Sequence, residues 1–162
     1  MVGIPNVGKS TFINSFAGKA CTKTGNKPGV TKGKQWIRMN KELELLDTPG
    51  ILWPNFVCVD VGWNLALFGS MNDEILQMTE LAADLITYLL KYYEDKLFAR
   101  YQMEEPDDTV TPLKVLTHIC ENRKCYKKGQ EPDYEKASSI VMDDFRSGRI
   151  GRITLEFPGN ED

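Results

Sequence analysis

Eight residues near the start, Gly3-Ile4-Pro5-Asn6-Val7-Gly8-Lys9-Ser10, match G-x-x-x-x-G-K-[ST] and constrain the fold more than any other feature of the chain. A loop of this kind joins a buried strand to a helix. Its glycines let the backbone turn and approach an anion closely, so that successive N–H groups point inward at phosphate oxygens. Lys9 would neutralise β- and γ-phosphate oxygens, and the Ser10 hydroxyl would ligate Mg²⁺. Asn6, Val7, Gly8, Lys9, Ser10 and Thr11 are therefore the candidate nucleotide-binding residues. The segment from Lys9 to Phe16 is predicted helical, with its positive N-terminal end beneath the phosphates.

Two further elements at suitable spacing point the same way. Asp47-Thr48-Pro49-Gly50 follows Leu43-Glu44-Leu45-Leu46, a short apolar strand. A carboxylate at such a strand end is where nucleotide-bound Mg²⁺ finds a ligand, and Gly50 can donate its N–H to a γ-phosphate. Between them, Lys27-Pro28-Gly29-Val30-Thr31 offers the Thr31 hydroxyl in a Gly/Pro-marked loop, the chemistry of a switch ordered by γ-phosphate and Mg²⁺. Each has a plainer reading: Asp-Thr-Pro-Gly is also a good turn, and Pro-Gly-Val-Thr also suits a strand entry. Ser10, Thr31 and Asp47 together are the candidate Mg²⁺ ligands.

Charge is segregated along the chain. Residues 1–41 hold eight Lys/Arg and no Asp or Glu, residues 42–110 hold three basic and fourteen acidic residues, and residues 111–162 hold nine of each. The basic block points to an anionic partner, while the acidic block reads as solvated faces. The composition, 41% hydrophobic and 27% charged, argues against disorder, collagen or a disulfide scaffold. No run reaches the ~18 apolar residues of a membrane span, because Asp60 interrupts the stretch from Phe56 to Phe68. The first residues carry neither a basic nor an apolar leader segment, so no signal peptide and a cytosolic location are expected. Cys21, Cys58, Cys120 and Cys125 are scattered and expected to be reduced. His118, Cys120 and Cys125 match no zinc spacing.

The wording of three segments is closer to one family than to phosphate-loop proteins at large. Gly-Ile-Pro-Asn-Val-Gly-Lys-Ser-Thr-Phe-Ile-Asn (3–14), Lys-Thr-Gly-Asn-Lys-Pro-Gly-Val-Thr (23–31) and Leu-Leu-Asp-Thr-Pro-Gly-Ile-Leu-Trp-Pro (45–54) resemble the ribosome biogenesis GTPase A family. The resemblance extends to Gly-Arg-Ile-Thr-Leu-Glu-Phe-Pro (151–158) and covers nearly the whole chain. It implies a circularly permuted GTPase that uses GTP/GDP and Mg²⁺ and assists late assembly of the large ribosomal subunit in the cytoplasm, or in an organellar matrix in a eukaryote. The implied partners are the large-subunit precursor and its rRNA, with no DNA expected.

Departures from the ordinary GTPase pattern shape the remaining expectations. A GTPase reads guanine with Asn-Lys-x-Asp, yet Asn26-Lys27-Pro28-Gly29 and Asn40-Lys41-Glu42-Leu43 both lack the Asp. In the resembled family the base-reading motifs precede the phosphate loop, whereas only Met1 and Val2 precede Gly3 here, so the chain is expected to be the C-terminal part of a longer protein. Ile51 stands where many GTPases place a water-orienting Gln. The resemblance then implies hydrolysis that is slow alone and accelerated by the ribosomal partner. Asn6 resembles a position at which relatives bind K⁺; a turn residue tolerant of unusual φ/ψ is the equal alternative.

Beyond residue 55 the pattern is helical. Ile75, Met78, Leu81, Leu85, Tyr88, Leu89 and Tyr92 recur at spacings of three and four over 73–96, with a break near Met78–Thr79. Thr111-Pro112 starts a second helix with Leu113, Leu116, Ile119 and Cys120 inward. Asp133 caps a third with Ala137, Ile140, Val141 and Phe145 inward, ended by Ser147-Gly148. The stretch from Met103 to Pro112 reads as a polar loop. The predicted fold class is α/β: a partial phosphate-loop GTPase module with switch regions (1–55), followed by an all-helical RNA- or ribosome-binding domain (60–150) and an extended tail (151–162). Arg123, Lys124, Tyr126, Lys127, Lys128, Arg146, Arg149 and Arg152 are the RNA-contact candidates, with Tyr126 available to stack on a base. Two functions follow: a GTP-hydrolysing switch, or a non-hydrolytic ribosome- or RNA-binding module that cannot read guanine.

Overall fold

The computed structural model describes residues 1–25, 27–52, 59–73, 76–104 and 110–157. The chain forms two compact units, Met1–Ile75 and Leu76–Asp162. The division therefore falls later than residue 60, where the sequence begins its helical domain.

In the first unit, helix α1 (Lys9–Ala17) begins directly after Gly8, whose φ of 83° only a glycine adopts without strain, and ends at Gly18 with φ 64°. Its Ile13 is fully buried. Strands β1 (Gln35–Arg38) and β2 (Glu44–Asp47) form an antiparallel pair in which Gln35 faces Asp47 and Arg38 faces Glu44. β1 has no counterpart among the sequence expectations, because only Ile37 of its four residues is buried and the alternation is too short to read. Asn40 closes the connection: its Oδ1 accepts from the N–H groups of Glu42 (2.9 Å) and Leu43 (2.7 Å).

Residues 1–3 run beside β2. The Met1 amine donates to the Leu46 carbonyl at 2.6 Å, Thr48 Oγ1 donates to the Met1 carbonyl at 2.7 Å, and the Ile51 N–H reaches the Gly3 carbonyl at 3.4 Å. These bonds hold Asp47-Thr48-Pro49-Gly50 against the phosphate loop. Helix α2 (Val59–Leu67) buries Asn64, Leu65, Ala66 and Leu67. Just beyond it, Ser70 Oγ donates to the Pro5 carbonyl at 2.8 Å and ties the loop from the other direction.

The second unit packs α3 (Met78–Tyr92), α4 (Glu94–Tyr101), α5 (Pro112–Arg123) and α6 (Tyr134–Arg146). Leu85, Ile86, Leu89, Leu97, Val115, Ile119 and Val141 are fully buried and make the core. Full burial of each such side chain is worth about 1.5–3 kcal/mol. Thr111 and Asp133 cap α5 and α6 as the sequence predicts, accepting from the N–H groups of Lys114 and Lys136.

Three details differ from the expectation. The pattern over 73–96 is interrupted at the expected place, since the non-helical Gln77 caps α3 and the helix begins at Met78, but a second break that was not expected lies at Tyr93, with φ −147° and ψ 38°. No Gly or Pro marks position 93; the signal is the acidic pair Glu94-Asp95, which suits the first turn of α4. Leu113 and Tyr92 face outward, at 59% and 48% exposure. Leu113 sits in the first turn of its helix, and Tyr92 packs its ring against Phe157 in the tail. Ile75 and most of the expected polar loop after Met103 lie outside the described residues.

The tail is extended over 151–157 and held by tyrosines. The Thr154 carbonyl accepts from the hydroxyls of Tyr88 (2.7 Å) and Tyr93 (3.2 Å), while its N–H donates to the Tyr93 hydroxyl at 3.0 Å. Lys96 Nζ donates to the Arg152 carbonyl at 2.7 Å. No helix among the described residues is long and apolar enough to cross a membrane.

Candidate nucleotide-binding site

The start of α1 and the end of β2 converge on one polar cluster. Ser10 Oγ donates to Asp47 Oδ2 at 2.8 Å and lies 3.1 Å from Thr31 Oγ1. With the Ser10 proton on Asp47, Thr31 is the donor in that second contact. Residues 21 and 37 positions away from Ser10 thus meet its hydroxyl. Asp47 is fully buried, and its Oδ1 has no hydrogen-bond partner among the described residues. A buried carboxylate oxygen without a donor costs free energy, on the order of 1–3 kcal/mol, unless something cationic or protic meets it.

The set fits Mg²⁺. It offers hard oxygen donors only, one carboxylate and two hydroxyls, which matches a cation that takes few protein ligands and completes its shell with water and phosphate. No group of three or more His, Cys, Asp or Glu that could hold a metal by itself is present among the described residues.

Lys9 is buried to 8% exposure, and its Nζ donates to the Ile4 carbonyl at 2.6 Å inside the loop. The ammonium is thus held within the turn that would wrap a phosphate. Asn6 takes a left-handed φ of 58°, and its Nδ2 lies 3.5 Å from the Phe68 carbonyl. That backbone is what a turn residue needs. Gly50 sits so close to the loop that a Cβ there would lie 2.4 Å from Pro5 Cα and 2.8 Å from the Ile4 carbonyl carbon. Only glycine lets the strand end and the phosphate loop touch.

A cavity of about 390 Å³ opens at this cluster, within the usual range for ligand sites. Asn6, Gly8, Lys9, Ser10, Thr11, Thr31 and Gly50 line it. Val7 does not line it; its side chain is 51% exposed. Asp47 meets the site through Ser10 rather than through the cavity wall.

The comparisons with known proteins bear on this geometry. Residues 1–125 match the family model described as 50S ribosome-binding GTPase. The chain belongs to that family. It is 45% identical over 159 residues to the ribosome biogenesis GTPase A of Bacillus cereus, covering 98% of this chain and 53% of that protein. It is 33% identical over 158 residues to the Thermotoga maritima protein of the same name, covering 98% and 55%. Among solved structures, GNP-bound YlqF from T. maritima aligns with a TM-score of 0.59 at 30% identity, over 97% of this chain and 57% of that one. A GDP-bound YlqF structure aligns with a TM-score of 0.60 at 27% identity, over 97% and 59%. The chain spans about half the length of the curated relatives it matches. The α/β phosphate-loop GTPase fold class is that of this family.

Family membership directs attention to the cations of the helical unit as well. Lys124 takes the left-handed position that closes α5, with φ 53°. Its N–H and that of Cys125 return to the carbonyls of Glu121 (3.4 Å) and Cys120 (2.9 Å). A small hairpin follows, pinned by Lys127 N–H to the Glu131 carbonyl (2.8 Å) and Asp133 N–H to the Cys125 carbonyl (2.9 Å). Arg123, Lys124, Tyr126, Lys127 and Lys128 are all exposed around it. Lys127 also lies 3.7 Å from Glu135 at the start of α6.

Arg146, Arg149 and Arg152 lie elsewhere. Arg146 ends the thirteen-residue α6 and Arg149 and Arg152 follow it, at the end roughly 20 Å along the helix axis from the hairpin. Arg149 has a structural partner: its Nε donates to Asp144 Oδ1 at 2.5 Å, while Arg100 donates to the same carboxylate at 2.8 and 3.0 Å. Burial alone would raise the Asp144 carboxyl, but hydrogen bonds from the two guanidinium groups outweigh it and hold the group below the usual carboxylate range. The eight RNA-contact candidates are therefore two separate groups, with Arg149 largely engaged in an ion pair.

Sequence reasoning missed several residues that build the site. Asn14 Oδ1 accepts from the N–H groups of Cys21 and Thr22 at 2.9 and 2.8 Å, and its Nδ2 donates to the Thr22 carbonyl at 2.9 Å. Buried Thr22 also sends its hydroxyl to the Ser10 carbonyl at 3.1 Å. Lys23, Thr24 and Gly25, which follow directly, line the cavity. The clue available in the sequence was the concentration of Lys in residues 1–41 without a single acid.

Proposed function

We propose that the chain carries the phosphate- and magnesium-holding part of a GTP-binding, GTP-hydrolysing switch that assists late assembly of the large ribosomal subunit in the cytoplasm. The observation that carries this reading is the convergence of Ser10, Thr31 and the buried Asp47 on one point beside Lys9.

The loop N–H groups and the N-terminus of α1 bind the β-phosphate, and Lys9 exchanges the Ile4 carbonyl for phosphate oxygens. Ser10, Thr31 and Asp47 would hold Mg²⁺, which would screen the phosphate charge. Thr31 thereby reports the γ-phosphate: its loop closes while the triphosphate is present and loosens after hydrolysis. Gly50, in contact with Pro5, passes the same information to the end of β2. Ile51 is 72% exposed and has no group to orient a water, so hydrolysis is slow until the ribosomal partner supplies that function. The exposed hairpin around Tyr126 and Lys127 docks the helical unit on rRNA. A K⁺ beside Asn6 belongs to the proposal only as an added accelerator; exchanging K⁺ for Na⁺ during turnover tests it.

Calorimetric titration with GTP and Mg²⁺ tests the core of the reading. Thr31→Ala is expected to weaken the magnesium-dependent part of the affinity while sparing binding without magnesium. Ser10→Ala should abolish the magnesium dependence altogether. Identical titrations for both variants and the unmutated chain would remove the switch assignment. Co-sedimentation with large ribosomal subunits tests the partner, and absence of the chain from the pellet counts against it.

A further inference from the structure

The cavity beside the phosphate loop contains more positive charge than the motif accounts for. Besides Lys9, its lining includes Lys23 and Lys27. Lys23 is exposed and makes no hydrogen bond or ion pair among the described residues. No acid occurs anywhere in residues 1–41 to neutralise it, and the carboxylate at the site, Asp47, already accepts from Ser10.

Its backbone, by contrast, is fixed. Thr22, the residue before it, uses its N–H, carbonyl and hydroxyl in bonds to Asn14 and to the Ser10 carbonyl, at 2.8 to 3.1 Å. Asn14 and Ser10 both belong to α1, the helix whose N-terminus forms the phosphate cradle. Lys23 thus leaves the chain from a point clamped to that helix and reaches a cavity shared with Lys9. Lys27 has no equivalent anchor among the described residues. A lysine that follows a clamped residue and lines the same cavity as Lys9 is suited to an anion with several negative charges.

We infer that Lys23 is a second phosphate-contacting cation of the nucleotide site, positioned by the Asn14–Thr22 clamp and acting in addition to Lys9. The inference rests on the phosphate-binding reading proposed above and names a residue outside its motifs. The role is in binding and in balancing charge on the phosphate chain, where the apolar Ile51 contributes nothing.

The test uses inorganic tripolyphosphate with Mg²⁺, which removes base recognition from the measurement, and titrates the chain calorimetrically at low and high salt. Lys23→Ala and Lys23→Gln are expected to weaken binding about fivefold at low salt, with the difference shrinking at high salt, while Lys23→Arg keeps most of the affinity. Lys41→Ala, at the exposed turn between β1 and β2 and absent from the cavity lining, is expected to bind as the unmutated chain does. Asn14→Ala should reproduce part of the Lys23 loss, since it frees the stem. Unchanged affinity in Lys23→Ala, or an equal loss in Lys41→Ala, overturns the inference while leaving the phosphate site standing. Failure of the unmutated chain to bind tripolyphosphate overturns both readings.

Discussion

The two units are stabilised by different means. Among the described residues, Met1–Ile75 buries five apolar side chains and Leu76–Asp162 buries eighteen. The helical unit therefore rests on packing. Among the described residues, the phosphate-loop unit carries polar cross-links between separate stretches of sequence: Ser10 to Asp47, Asn14 to Thr22, Ser70 to Pro5 and Thr48 to Met1. Phe12, Phe16, Trp36 and Ile51 of the same unit are all more than half exposed. A site built from hydrogen bonds can rearrange around a ligand at small cost, because each bond is worth about 1 kcal/mol and has water as an alternative. A packed core cannot, and it makes a better platform for a fixed docking surface.

That contrast can be broken in order of effect. Leu85→Ala is expected to destabilise the helical unit by about 3 kcal/mol in a urea titration followed by circular dichroism, with tripolyphosphate affinity unchanged. Lys9→Ala should reverse the pattern: phosphate affinity falls about 100-fold by calorimetry, with the helical unit's unfolding midpoint unaltered. If either substitution disturbs both properties equally, the units are not energetically separate.

Acid separates them more gently. The Asp144 carboxyl is held below its unfolded value by Arg100 and Arg149, so it stabilises the folded unit at pH values above the ordinary carboxylate range. That contribution is expected to fade as pH falls below about 4, through the depressed folded value. Asp144→Asn should flatten this acid limb in melting curves taken across that range. The smallest expected effect is on docking. Charge reversal at Lys127 and Lys128 should weaken sedimentation with large subunits a few-fold and reduce its salt dependence, with no change in either unit's stability.

How much of this could be read in advance follows from the range of the interactions. The convergence of the loop, Thr31 and Asp47 was legible because the three motifs are recognisable by residue type and spacing, and the structure does bring Ser10, Thr31 and Asp47 together. The caps Thr111 and Asp133 were legible because capping is local. Asn14 and Thr22 were not, since an amide bonding to backbone eight residues away has no sequence signature. The bond from Ser70 to Pro5 spans 65 residues and depends wholly on the fold. The break at Tyr93 also escaped, because periodicity registers which face is apolar but not where a helix changes direction without Gly or Pro.

The hold on Thr154 has a bearing on how the tail tolerates substitution. Both tyrosine hydroxyls grip its main-chain carbonyl, and one of them also accepts its N–H. The grip ignores the side chain, so residue 154 is free to drift among most amino acids during evolution or engineering. Proline is excluded, because it brings no N–H for the Tyr93 oxygen. The constraint lies instead on Tyr88 and Tyr93, some sixty residues upstream, where replacement by Phe keeps the ring and releases the strap.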